Sequence, residues 1–345
     1  MTESAFLAAC RGDAHDVMPV WFMRQAGRAL AEYRAIREEH SFQDVVHTPD
    51  LAAEVTLQPV WRYGVDAAIL FSDIVTPIQA IGLPVEIRPG IGPVLDDPIR
   101  RRADIDRLRP IEPDVDAPYV LETVRILAKE LDVPLIGFAG APFTVASYLV
   151  EGRPSKNYEH TKAMMYGDEP SWARLMDVLA DIVATHLRAQ VEAGAQAIQL
   201  FDSWAGALDP ADYRRYVLPW SRRIFDQLAD LDVPRIHFGV GTGELLGLMA
   251  EAGPEVVGVD WRVPIEAGRA RIPAGTATQG NLDSTVCLAP WPVVEERVLD
   301  LLNRIGDRPD HVFNLGHGVL PPTDPAVLAR IVELVHEHGR TGAPA

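Results

Sequence analysis

The sequence is poor in cysteine: Cys10 and Cys287 are the only two among 345 residues. They stand far apart, in no metal-like spacing, which excludes a disulfide framework and fits a reducing cytosol. Positive charge is short as well, with 32 Lys and Arg against 49 Asp and Glu, a net charge of −17. A chain of that sign has no broad positive field, so nucleic acid and anionic membrane surfaces are excluded as partners. No apolar run approaches the roughly 18 residues that a membrane span needs. "FLAAC" at 6–10 superficially resembles a lipid-attachment site, but no positive charge precedes it and its apolar stretch is too short. The expectation is a soluble, cytoplasmic protein. Phosphate fingerprints are missing too. "GVGTGE" (239–244) fits neither the dinucleotide nor the P-loop spacing and reads as a strand-to-helix turn.

What is present is a regular alternation. Seven apolar runs recur: "DAAILFSD" ending at Asp73, "VPLIGFAG" ending at Gly140, "AQAIQLFDS" ending at Ser203, then "VPRIHFGV", "VVGVDWR", "TATQGNL" and "HVFNLGHG". Uninterrupted runs of this length are expected of strands buried on both faces of a parallel sheet. Helical patterns separate most of them, including "SWARLMDVLADIVATHLRAQVEAG" and "GELLGLMAEAG", where Gly253 marks a helix stop. Strand alternating with helix predicts a single (β/α)8 TIM-type barrel over residues 1–345, with an eighth strand from "PVWFM" (19–23) or from the insert at 84–95. The stretch 82–98, "GLPVEIRPGIGPVLDDP", is predicted to be a β-hairpin inserted between the first and second strands.

Barrel active sites form at the C-terminal ends of the strands. That rule selects Ser72, Asp73, Thr144, Tyr148, Asp202, Ser203, His237, Asp260, Arg262, Gln279, Asn281, Asn314 and His317 as candidates to line one mouth. Some have plainer readings. Asp73 suits a helix cap, and His237 inside a strand suits a paired core imidazole. His317, between Gly316 and Gly318, reads as an exposed functional residue. Against the acidic background, "MRQAGRALAEYR" (23–34) crowds Arg24, Arg28 and Arg34 together, with Arg37 one turn on. Such a knot is suited to a local anionic ligand, since guanidinium forks grip carboxylates bidentately.

Five blocks in order, "PVWFMRQAGRALAEYR", "FSDI", "GFAGAPFTVASYLVEG", "FDSWAG" and "NLGHGVLPPTDP", resemble the uroporphyrinogen decarboxylase family from residue 19 to residue 325. The resemblance implies a cofactor-independent carboxy-lyase of tetrapyrrole biosynthesis, without metal, on a barrel that usually forms a homodimer. It would convert the four acetate side chains of uroporphyrinogen III to methyl groups, giving coproporphyrinogen III. By the same resemblance Asp73, Arg24 and Arg28 are the catalytic candidates. The substrate-binding set is Arg24, Gln25, Ala26, Gly27, Arg28, Arg37, Phe71, Asp73, Tyr148, Phe201, Ser203 and His317. The family commonly has an aromatic residue and a proline where this chain has Ala29 and Ala31. Two rivals stand beside this expectation. One is a zinc-dependent methyltransferase of the same barrel superfamily, for which His237 and His317 supply imidazoles but no thiolate. The other is a non-catalytic tetrapyrrole carrier, which needs charge pairing but no cation-stabilising carboxylate.

Overall fold

The computed structural model describes residues 4–88 and 90–341. All seven apolar runs contain strands: β1 (Ala68–Ile69), β4 (Leu135–Gly140), β5 (Ala197–Asp202), β6 (Arg235–Gly239), β7 (Val256–Gly258), β8 (Ala277–Leu282) and β9 (His311–Leu315). They pair in that order, each parallel to the next, in one curled seven-stranded sheet. The remaining two, β2 (Glu86–Arg88) and β3 (Gly92–Val94), pair antiparallel with each other; residue 89 between them lies outside the described residues. Helices connect consecutive strands and cover the outer face. The longest, Glu169–Ala193, ends against Gly194, while Gly253 takes a left-handed φ of 101° two residues beyond Leu246–Glu251.

The segment at 19–21 lies between the first and last strands. Phe313 N–H donates to the Pro19 carbonyl at 2.9 Å and Trp21 N–H to the Phe313 carbonyl at 3.3 Å. On its other side, Asp66 N–H donates to the Val20 carbonyl at 2.7 Å, and the Asp66 carboxylate accepts Val20 N–H at 2.7 Å. His336 holds that same carboxylate at 2.8 Å, so a single aspartate ties this segment to the helix Pro325–His338.

Inside the curl, buried amides bridge the strands. The Trp21 indole donates to Gln279 on β8 at 2.9 Å, and Gln279 donates to Gln199 on β5 at 3.0 Å. This accounts for two polar residues in otherwise apolar strands, because a buried amide is tolerated when it is hydrogen-bonded. Cys10 and Cys287 are both buried free thiols. Among the described residues, no helix is long and apolar enough to cross a membrane.

Candidate functional site

The arginine knot forms no helix at its start. Residues 23–30 run as turns, and the helix Ala31–Glu39 begins only after them. Arg24 sits at φ 57°, the left-handed region that side-chain-bearing residues rarely enter. Three contacts hold it there: Met23 N–H donates to Asn314 at 3.1 Å, Val319 N–H to the Met23 carbonyl at 2.8 Å, and Phe22 N–H to the Gln25 amide oxygen at 3.1 Å. The last contact shows where the Gln25 side chain goes. Gln25 is fully buried and its amide also donates to the Ala67 carbonyl at 3.1 Å, so its side chain supports the loop and is taken up by backbone. Arg34 is likewise structural, donating to the Arg28 and Ala29 carbonyls at 2.8 and 2.9 Å. That leaves Arg24 and Arg28 exposed, with Ala26 and Gly27 partly so between them. Arg37 stands over the Phe42 ring at 5.7 Å with a buried, unpartnered Nε. Phe71 is buried between Tyr33 and Phe42, 5.6 and 5.4 Å from their centroids.

Asp73 follows β1 and is half-buried. Its Oδ1 accepts Val75 N–H at 3.0 Å, and its own N–H donates to Thr76, so one carboxylate oxygen holds the turn before the helix Thr76–Ala80 and does not cap that helix. Burial pushes its pKa up, opposed by the Val75 N–H, the Arg24 charge and the Ile74 N–H. Tyr148, from the helix Pro142–Glu151 after β4, feels both Asp73 and Arg24; burial, then the Asp73 charge, push its phenol up. His317, after β9, is pushed down by burial first and by the Arg24 charge second, so a neutral imidazole faces this group. The fold therefore brings Arg24, Asp73, Tyr148 and His317 together from four distant parts of the chain. At the end of β5, Phe201 packs edge-on between Phe138 and Phe238 at 5.5 and 6.0 Å. Ser203 is half-buried one residue past the strand. Trp204 lies 3.8 Å from the Tyr148 ring.

Several strand-end residues do not line this mouth. Asn314 bonds backbone N–H groups, as above, and Asn281 donates to the Asp260 and Val263 carbonyls at 3.0 and 2.7 Å. Asp260 clamps two loops, accepting Gly241 N–H at 2.5 Å and the Arg262 guanidinium at 2.9 Å. Asp202 and His237 are wholly buried on the helix-covered side, so of the two imidazoles named for the zinc reading only His317 stands at the mouth. Among the described residues, no group of three or more His, Cys, Asp or Glu could hold a metal. A cavity of about 530 Å³ lies elsewhere, lined by Arg100, Glu151, Arg153, Glu159 and His160 among others, and includes none of the four convergent residues.

The glycines around His317 exist for close approach. A Cβ on Gly316 would fall 2.3 Å from the Trp261 backbone nitrogen, and one on Gly318 would fall 2.5 Å from Arg24 Cδ and 3.0 Å from its Cβ. Gly318→Ala is therefore expected to displace Arg24 while sparing the core. Steady-state kinetics should show kcat/KM reduced about a hundredfold, the scale of an ångström-sized misplacement. An unchanged kcat/KM would mean that Gly318 does not position Arg24.

Comparison with known proteins bears on this arrangement. The family model described as Uroporphyrinogen decarboxylase (URO-D) matches residues 1–338. A uroporphyrinogen decarboxylase from Streptomyces griseus subsp. griseus is 59% identical over 336 residues, covering 97% of this chain and 92% of that protein. Another, from Bacillus mycoides, is 51% identical over 339 residues, covering 98% of this chain and 97% of its own length. Among solved structures, a methyltransferase from Methanosarcina mazei superposes with a TM-score of 0.77 at 20% identity, covering 96% of this chain and 97% of that one. At that identity the likeness is one of fold alone.

Proposed function

Because this chain belongs to the uroporphyrinogen decarboxylase family, we propose that it decarboxylates the four acetate side chains of uroporphyrinogen III to give coproporphyrinogen III. The observation that carries the reading is Asp73, half-buried at a strand end and facing the Arg24 charge, with Tyr148 and His317 around it. We read the chain as one closed (β/α)8 domain, with 19–21 as the eighth stave and the 86–94 ribbon as an insert, and as a homodimer in solution.

Loss of carbon dioxide from an acetate leaves an electron pair on a methylene carbon. Protonating the neighbouring pyrrole carbon first makes a cationic ring that accepts this pair. The C–C bond then breaks, a proton adds to the methylene carbon to complete the methyl group, and the ring proton returns to solvent. Asp73 serves this sequence by accepting pyrrole N–H groups and stabilising the cation, a preorganised electrostatic contribution. Arg24, Arg28 and Arg37 bind the substrate's carboxylates, which the acidic surroundings would otherwise repel. Arg24 is assigned to orienting the acetate and a donor water. Tyr148, Ser203 and neutral His317 supply hydrogen bonds to the side-chain carboxylates. Phe71 and Phe201 are the apolar part of the set, Phe201 packing against the macrocycle.

The test is anaerobic incubation of purified, metal-free protein with uroporphyrinogen III, followed by oxidation and mass spectrometry. Stepwise loss from eight carboxylates to four is expected. Tight binding without loss would replace the reading with that of a carrier.

A further inference from the structure

Directly behind the mouth lies a group of buried polar atoms that neither the sheet nor the proposed chemistry uses. Side chains alternate across a strand, so Asp202 falls on the opposite face from Phe201 and Ser203, toward the helices. Its Oδ1 accepts the Thr144 hydroxyl at 2.8 Å, and the Thr144 oxygen in turn accepts Trp204 N–H at 3.2 Å. Trp204 is the residue whose ring lies 3.8 Å from Tyr148 and 5.3 Å from Tyr158. One carboxylate oxygen thus holds the turn that carries the aromatic wall of the site.

The other oxygen, Oδ2, is buried without a hydrogen-bond partner and stands 4.0 Å from His237 Nε2, which is buried and unpartnered too. His237 Nδ1 lies 3.4 Å from the Met249 carbonyl. A carbonyl only accepts, so Nδ1 carries the ring hydrogen and Nε2 presents a lone pair to Asp202. An ionised carboxylate would then set two acceptors against each other in a dry interior. Among the described residues, the titratable groups facing Asp202 are His237 from β6 and Tyr213 from the helix Pro210–Tyr216. Tyr213 and its neighbour Ser221 are fully buried, with unpartnered hydroxyl groups, and neither brings positive charge. Burial also pushes Asp202 up to about 7 and His237 down to about 4, which places the pair's single proton on the acid.

We propose that Asp202 is a positioning residue held as a neutral carboxylic acid, its Oδ2–H directed at His237 Nε2, and that through Thr144 and the Trp204 backbone it fixes the wall that carries Tyr148. The consequence for turnover rests on the decarboxylase reading; the protonation state does not.

Two measurements judge the pair without substrate. Infrared difference spectra of Asp202→Asn against the unaltered protein at pH 6 should show loss of a carboxylic-acid carbonyl band that shifts in D2O. Stability should separate with pH as well. A carboxyl raised from 3.8 to about 7 stabilises the fold at low pH and loses that contribution as pH rises between those values, so Asp202→Asn should gain stability relative to the unaltered protein between about pH 4 and 7, with the difference level above that. In turnover, Asp202→Ala leaves the Thr144 hydroxyl unpaired and should raise KM about tenfold with a smaller fall in kcat; Asp202→Asn should restore most of that loss. Absence of the acid band, or an asparagine variant as damaged as the alanine one, overturns the proposal. If the unaltered protein shows no turnover, the decarboxylase reading fails while the spectra and stability profile still decide the state of Asp202.

Discussion

Asp73→Asn is expected to slow decarboxylation about a thousandfold while leaving the thermal midpoint at or above that of the unaltered protein. The size follows from what the carboxylate does: removing one preorganised electrostatic group from a developing charge costs about two to three orders of magnitude in rate, and this one opposes a full ring cation. Retained stability follows from its surroundings. The asparagine oxygen still accepts Val75 N–H at the 3.0 Å position, so the turn after β1 keeps its hydrogen bond. Burial already disfavours the ionised form and raises its pKa, which makes the carboxylate a net cost to folding at neutral pH. The same shift has a signature in rate. Protonation silences the group, so kcat/KM should fall as pH drops, with its acid limb above the ordinary carboxylate range. Single-turnover measurements on both proteins across pH 4–8 check this. A variant within tenfold of full activity would remove Asp73 from the reacting centre.

The sequence made the sheet legible for a reason that also limited the site. Strands buried on both faces are written as solid apolar runs, so β4 and β5 stand out with no knowledge of their neighbours. A continuous run carries no alternation, however, and so does not say which face each residue takes. Asp202 and Ser203 are equivalent in the sequence as strand-end polar residues; one is fully buried against the helices and the other is half-buried past the strand end. Asn314 and Gln25 were ambiguous for a second reason. Their partners are backbone groups 291 and 42 residues away in the chain, and no local pattern announces a contact of that span. The arginine knot was legible as chemistry because it broke the charge balance of the chain. Its division of labour was not, since only the turn geometry separates Arg34, folded back on carbonyls, from Arg24 and Arg28. Gly318 stands out in the sequence for the histidine beside it, whereas its closest constraint is the Arg24 side chain.

Mild acid should weaken the fold well before the surface carboxylates titrate. His186, His237 and His311 are all buried, and burial pushes each from 6.5 down to about 4. An unfolded chain protonates them near pH 6.5 while the folded one resists, so the stability each contributes is present above 6.5 and lost as pH falls through 4. A shift of this size is worth on the order of 3 kcal/mol per group. The Asp202–His237 pair contributes little net change over this window, because the acid, raised to about 7, gains stability as pH falls while the histidine loses it. His336, raised by Asp66, also shifts the balance slightly toward the acid side. Among the fully buried histidines the loss therefore falls on His186 and His311, on the order of 6 kcal/mol together, comparable with the whole stability of many domains. His311 is held at both ring nitrogens, by Thr278 at 2.8 Å and the Gly280 carbonyl at 2.9 Å, whereas His186 Nδ1 has no partner. His186→Gln is thus the safer substitution for a test. Urea denaturation between pH 4.5 and 7.5 should show stability falling with acid by up to about two protons' worth per unfolding event, and by one in the variant. Equal slopes in the two proteins would mean that His186 is protonated in the folded state, and that the helix Glu169–Ala193 admits water where it packs against the sheet.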